Sequence, residues 1–129
     1  MTELERLLAE QACARLVADY ANLNDCGDWD GVAGLYAEDA RFARPSAPED
    51  WIVGRAAILA ALRARPPRRG RHLCSNVVIT VESAQLARGT CAIGLFVEGQ
   101  PPLVGSFHDR FVKIGPAWRF AERRGSLAY

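Results

Sequence analysis

Apolar positions change their period about halfway along the chain. Up to Leu62 they recur at helical spacing; beyond Arg71 they crowd into long runs of Val, Ile, Phe and Leu broken by turn residues. Thr2 and Glu5 form a capping box, and Leu4, Leu7, Leu8, Leu16, Tyr20 and Leu23 mark the helix that follows, ending at Gly27. Asp28 can cap a second, shorter helix carrying Trp29, Val32, Leu35 and Tyr36. A short strand is expected at Ala40–Arg44, a loop at Pro45–Asp50 and a brief strand at Trp51–Val53. Gly54 leads into a third helix with Ala57, Ile58, Ala61 and Leu62, ended by Pro66 and Pro67. Four long strands follow at His72–Glu82, Gln85–Glu98, Leu103–Ile114 and Ala117–Arg124. No repeat, low-complexity segment or linker interrupts the pattern, so residues 1–129 read as one domain. Three helices followed by an antiparallel meander predict an α+β fold, and a curved sheet wrapping the helices would enclose a mostly apolar pocket.

Composition excludes several classes. The net charge of +1 gives no general pull toward nucleic acid or anionic lipid. No apolar run approaches the ~20 residues needed to cross a bilayer, and the acidic, amphipathic start is unlike a secretory signal. Cys13, Cys26, Cys74 and Cys91 include no CxxC pair, and His72 and His108 are the only histidines, so no zinc-ligand spacing is present. The cysteines read as reduced, in a cytoplasmic protein. There is no glycine-rich phosphate loop and the only lysine is Lys113, so neither cofactor nor metal is expected. The segments Val77–Val81 and Ala92–Val97 are apolar at both strand parities, which predicts a homodimer through the outer sheet face.

The runs Tyr20–Asp30, Leu35–Phe42, Gly54–Ile58 and Arg71–Asn76, then Asp109–Val112 with Trp118–Arg123, together resemble a SnoaL-like domain. That family belongs to the nuclear transport factor 2-like superfamily of cone-shaped α+β barrels. The resemblance covers nearly the whole chain. It implies the fold but leaves the reaction open, because the superfamily holds ketosteroid isomerases, scytalone-type and bile-acid dehydratases, polyketide cyclases, epoxide hydrolases and non-catalytic binders. It places Tyr20 on an oxyanion or pocket tyrosine, Asp25 on a dehydratase aspartate and His72 on a catalytic histidine. It places Asp109 on the isomerases' protonated oxyanion donor. The isomerases' basic aspartate falls on Arg44, and a second dehydratase histidine falls in the apolar stretch Cys91–Leu95.

The chemistry of that set stands on its own terms. A histidine near its ordinary pKa of about 6.5 can take and return a proton. A carboxylate beside it fixes one tautomer, and a tyrosine hydroxyl can stabilise an enolate oxygen or protonate a leaving group. The expected function is therefore a cofactor-independent dehydratase, cyclase or isomerase acting on a hydrophobic, carbonyl-bearing molecule such as a polyketide or steroid-like compound. His72 would be its base, Asp25 the orienting group and Tyr20 the acid or oxyanion donor. The alternative is a non-catalytic binding or assembly subunit, and the discriminating feature is whether His72 and Asp25 meet inside a pocket. Asn24 shares the helical face of Tyr20, and Phe42, Trp51, Phe96, Phe107 and Phe111 are candidate apolar lining. Asp109 has a competing ion-pair partner in Arg119 or Arg123. His108 has the opposite strand parity and should face away. Arg63, Arg65, Arg68, Arg69 and Arg71 form a basic stretch that reads as a solvated loop, or as a seat for an anionic substrate tail.

Overall fold

The structure, a computed structural model, describes residues 1–128. Helix α1 spans Glu3–Asp25, α2 Trp29–Ala33 and α3 Arg55–Arg63. The strands are β1 Tyr36–Ala43, β2 Trp51–Val53, β3 Gly70–Val81, β4 Leu86–Val97, β5 Leu103–Ile114 and β6 Ala117–Ser126. They form one curled, unclosed sheet in the order β2-β1-β6-β5-β4-β3, antiparallel except where β1 runs parallel to β6. The helices cover its concave face, so the expected α+β cone is what forms.

The capping box at Thr2 and Glu5 is present, with both reciprocal bonds made. The buried stripe of α1, however, begins only at Ala9 and continues through Cys13, Leu16, Val17, Tyr20, Ala21 and Asn24. Leu4, Leu7 and Leu8 are exposed, because the first two turns bury no residue. The second helix is shorter than its pattern predicts. Gly34 caps it, and Tyr36 is drawn instead into β1 opposite Phe120, where the Arg55 guanidinium donates twice to its carbonyl. The first strand therefore starts four residues before Ala40. A register irregularity leaves Glu38 and Asp39 both exposed, which hides the strand's alternation.

Two further irregularities decide which side chains face inward. On β3 the register shifts between Ser75 and Val78, with Asn76 in the left-handed region at φ 53°. His72 and Cys74 are half-buried before the shift, and Val77, Ile79 and Val81 after it. On β6 the shift between the pairs Arg110–Glu122 and Phe111–Phe120 turns Arg123 inward along with Trp118 and Phe120. The core at the closed end is built from Val17, Val32, Tyr36, Ile58, Leu62, Phe111 and Phe120.

Candidate active site

A cavity of about 980 Å³ lies at the open end of the cone, between the last turns of α1, the α3–β3 loop and the concave sheet. Phe42, Ile93, Leu95 and Phe107 supply apolar lining; Tyr20, Asn24, Asp25 and His72 supply polar groups, His72 directly across the β3–β4 pair from Leu95. Tyr20 and Asp25 are about 140° apart on an ideal helix. Both reach the cavity because α1 ends at Asp25, followed by Gly27 at φ 73°.

His72 and Asp25 meet there. The ring Nδ1 lies 2.6 Å from Asp25 Oδ1, and the backbone N–H of His72 donates to both carboxylate oxygens, at 3.2 and 3.0 Å. Arg71 adds a guanidinium 3.5 Å from Asp25 Oδ2. An ionised carboxylate only accepts hydrogen bonds, so Nδ1 carries the proton and the lone pair resides on Nε2. Nε2 has no protein partner among the described residues. Burial pushes the His72 pKa below its ordinary value, and the hydrogen bond to Asp25 offsets part of that shift. The imidazole is therefore neutral at pH 7.

Tyr20 is buried among aromatic rings and its hydroxyl lies 2.9 Å from that of Tyr36. Tyr36 is fully buried and has no other hydroxyl partner among the described residues. If Tyr20 donated to it, the Tyr36 proton would be stranded in the core at a cost of about 1–3 kcal/mol. Tyr36 is thus the donor, which leaves the Tyr20 O–H for the cavity. Burial raises the pKa of both phenols, so both stay protonated.

Asp109 does not line the cavity. It sits behind Arg123, with Oδ1 3.1 Å from Nε and both side chains 1% exposed. Of its two possible partners, Arg123 is the one used, directly across the strand pair. The contact is close but not aimed: neither carboxylate oxygen nor Nε makes a well-directed hydrogen bond. Burial holds the Asp109 carboxyl above the carboxylate range, at about 6, while Arg123 pulls the other way. Arg123 in turn lines the cavity, its guanidinium carbon 3.8 Å from the ring centre of Phe107 and 4.3 Å from that of Tyr20.

Three expected lining residues are elsewhere. Trp51 lies on the short edge strand β2, under the Arg41 guanidinium. Phe96 has the outward parity of β4 and is exposed. Phe111 faces inward but belongs to the closed-end core against Phe120. Asn24, Phe42 and Phe107 line the cavity as expected, and His108 is exposed on the outer face. Residues not singled out beforehand include Tyr36, Cys74, Ile93 and Leu95, Arg44 as a cavity wall, and Arg123 as more than an ion-pair partner.

Residues 5–124 match the family model described as SnoaL-like domain. Among solved structures, the chain superposes on Rv3472, a protein of unknown function from Mycobacterium tuberculosis. The TM-score is 0.84 at 27% identity, covering 97% of this chain and 75% of that one. A Novosphingobium aromaticivorans protein with a provisional scytalone dehydratase assignment gives 0.85 at 24% identity, covering 96% and 87%. The hexachlorocyclohexane dehydrochlorinase LinA-type3 of Novosphingobium barchaimii gives 0.81 at 17%, covering 96% and 89%. No curated protein matches the sequence. With the family pattern spanning nearly the whole chain and the cone fold in place, the protein belongs to the SnoaL-like domain family.

Proposed function

We propose that the protein is a cofactor-independent acid–base enzyme acting on a hydrophobic, carbonyl-bearing small molecule. The observation that carries this reading is the His72–Asp25 pair inside the cavity, its imidazole neutral and its Nε2 unpartnered among the described residues. Nε2 takes a proton from the carbon next to the substrate carbonyl. Asp25 holds the tautomer and stabilises the imidazolium that forms. The Tyr20 hydroxyl, released toward the cavity by Tyr36, donates to the enolate oxygen. The imidazolium then returns its proton to a leaving hydroxyl, or to another carbon, giving elimination or isomerisation. Elimination is favoured as the first choice: a base and a returning acid are what a dehydratase needs, and two structural neighbours bear the names of eliminating enzymes. A binding-only role would give the free Nε2 lone pair no task. The outer face, with Leu73, Val78, Phe96 and Val104 exposed, supports the homodimer expected from the sequence.

Proton exchange tests the reading without the natural substrate. In deuterated buffer, the protein should accelerate exchange of the α-protons of a hydrophobic ketone such as 2-tetralone, followed by proton NMR. His72→Ala should remove the acceleration. Wild-type protein that leaves exchange at the buffer rate across a panel of such ketones, or a folded His72→Ala variant that still accelerates it, would sink the proposal.

A further inference from the structure

Three guanidinium groups line the cavity with no carboxylate among the described residues to neutralise them. Arg44 follows β1, while Arg65 and Arg68 sit in the loop between α3 and β3. The remaining arginines of that stretch are absent from the lining, and each has an acid: Arg63 pairs with Asp30 at 2.8 Å, Arg69 with Glu98 at 3.6 Å and Arg71 with Asp25 at 3.5 Å. Among the described residues, Arg44, Arg65 and Arg68 enter no ion pair. The basic stretch is thus divided: its outer arginines are neutralised and its inner ones are not.

The inner ones are also short of hydrogen-bond acceptors. Arg65 gives one N–H to Asn24 Oδ1 at 3.3 Å and no other to a protein acceptor among the described residues. The Arg44 Nε is cut off from solvent with no hydrogen-bond partner among the described residues. Burial lowers the Arg65 pKa, and the charges of Arg44 and Arg68 push it the same way. Among the described residues the one acid in the lining is Asp25, which is engaged by His72 and Arg71, and Arg123 is engaged by Asp109. Arginine keeps its charge at any cellular pH, so the three charges persist together and an entering oxyanion relieves their repulsion. A planar guanidinium fork matches a carboxylate or a phosphoryl group and does little for a neutral hydrocarbon.

We infer that the substrate carries an anionic oxygen group, carboxylate or phosphoryl, held by Arg44 and Arg65 with Arg68 at the rim. Its apolar body lies against Phe42, Ile93, Leu95 and Phe107. That the bound anion is a substrate rests on the acid–base reading of the dyad; that the cavity selects anions does not.

Calorimetric binding of a matched series separates the two: 2-naphthol as the neutral member, 2-naphthoate and 2-naphthyl phosphate as the anions. At least one anion should bind about tenfold or more tighter than 2-naphthol, and the better of the two names the group. In Arg44→Gln/Arg65→Gln that preference should fall to within about twofold, with 2-naphthol unchanged. Where the double variant does not fold, Arg65→Gln alone should reduce the preference by at least about threefold. His72→Ala should keep the preference, so a failed dyad and a failed anion site give different results. The inference is overturned if both anions bind no better than 2-naphthol, or if none binds at millimolar concentration. It is also overturned if the glutamine variants retain the full preference, or if the preference vanishes in His72→Ala but survives in them.

Discussion

His72 and Asp25 should fail together. If the carboxylate acts only through the imidazole, His72→Ala and Asp25→Asn each lower ketone exchange by about 10²–10⁴-fold, and the double variant is little worse than either. The pH profile follows from the burial of His72. Its neutral form is the active one and its pKa lies below the ordinary 6.5, so the rate should be flat at neutral pH and fall as the pH drops through a midpoint below 6.5. A midpoint above 7 would assign the titration to another group. Tyr36→Phe tests the paired phenols: it touches no substrate, yet it removes the hydrogen bond donated to the Tyr20 oxygen, which orients that hydroxyl and strengthens it as a donor, so kcat should fall while KM holds. Behind the site, Asp109→Asn strands a buried guanidinium and should cost about 3–5 kcal/mol in urea unfolding. Replacing both partners with apolar residues should cost much less than the sum.

The bulge in β3 decides which way its first residues face. Asn76 adopts φ 53°, a conformation that Asn or Gly tolerates and a β-branched residue does not. Asn76→Gly should leave the thermal midpoint nearly unchanged, and Asn76→Val should destabilise by about 1–2 kcal/mol. How much was legible in the sequence follows from such details. Caps and breakers at Thr2, Asp28, Gly27 and Gly54 placed the helices, and the range of β5 was read in full. The start of β1 was hidden, because Tyr36–Asp39 has no clean alternation and only pairing with β6 makes it a strand. Alternation also carries no depth: Phe107 and Phe111 share a parity, but one lines the cavity and the other lies in the closed-end core. Arg123 was legible as a possible partner of Asp109 and Arg44 only as an aligned position; that both line the cavity was hidden for a related reason. A charged residue in or beside a strand reads as solvated unless its partners are known, and those partners are long-range.

At the scale of the whole molecule, the open cone leaves one sheet face uncovered. Leu73, Val78, Phe96 and Val104 there make a proposed dimer surface, so light scattering at micromolar concentration should give twice the chain mass. Phe96→Asp should shift that mass toward the monomer while leaving the cavity intact. No group of three or more potential metal ligands occurs among the described residues. Exhaustive dialysis against chelator should therefore leave ketone exchange unaffected, and recovery of lost activity by added zinc or magnesium would refute that. Sequence alone placed His72 and Asp25 on different elements. It took the curl of the sheet to bring the first turn of β3 beneath the end of α1.

The bond from Asp25 to the backbone of His72 has a consequence of its own. β3 is the last strand of the sheet, and the outward amides of a last strand are normally free to exchange with water or to pair with a stray strand. At His72 the carboxylate takes that amide proton, so one side chain both orients the imidazole and blunts the sheet edge. The His72 amide should exchange with deuterium far more slowly than the other outward amides of β3, and Asp25→Ala should abolish that protection. An edge stripped of this carboxylate exposes bare backbone beside Leu73, and self-association of the Asp25 variants into strand-paired aggregates is the expected result.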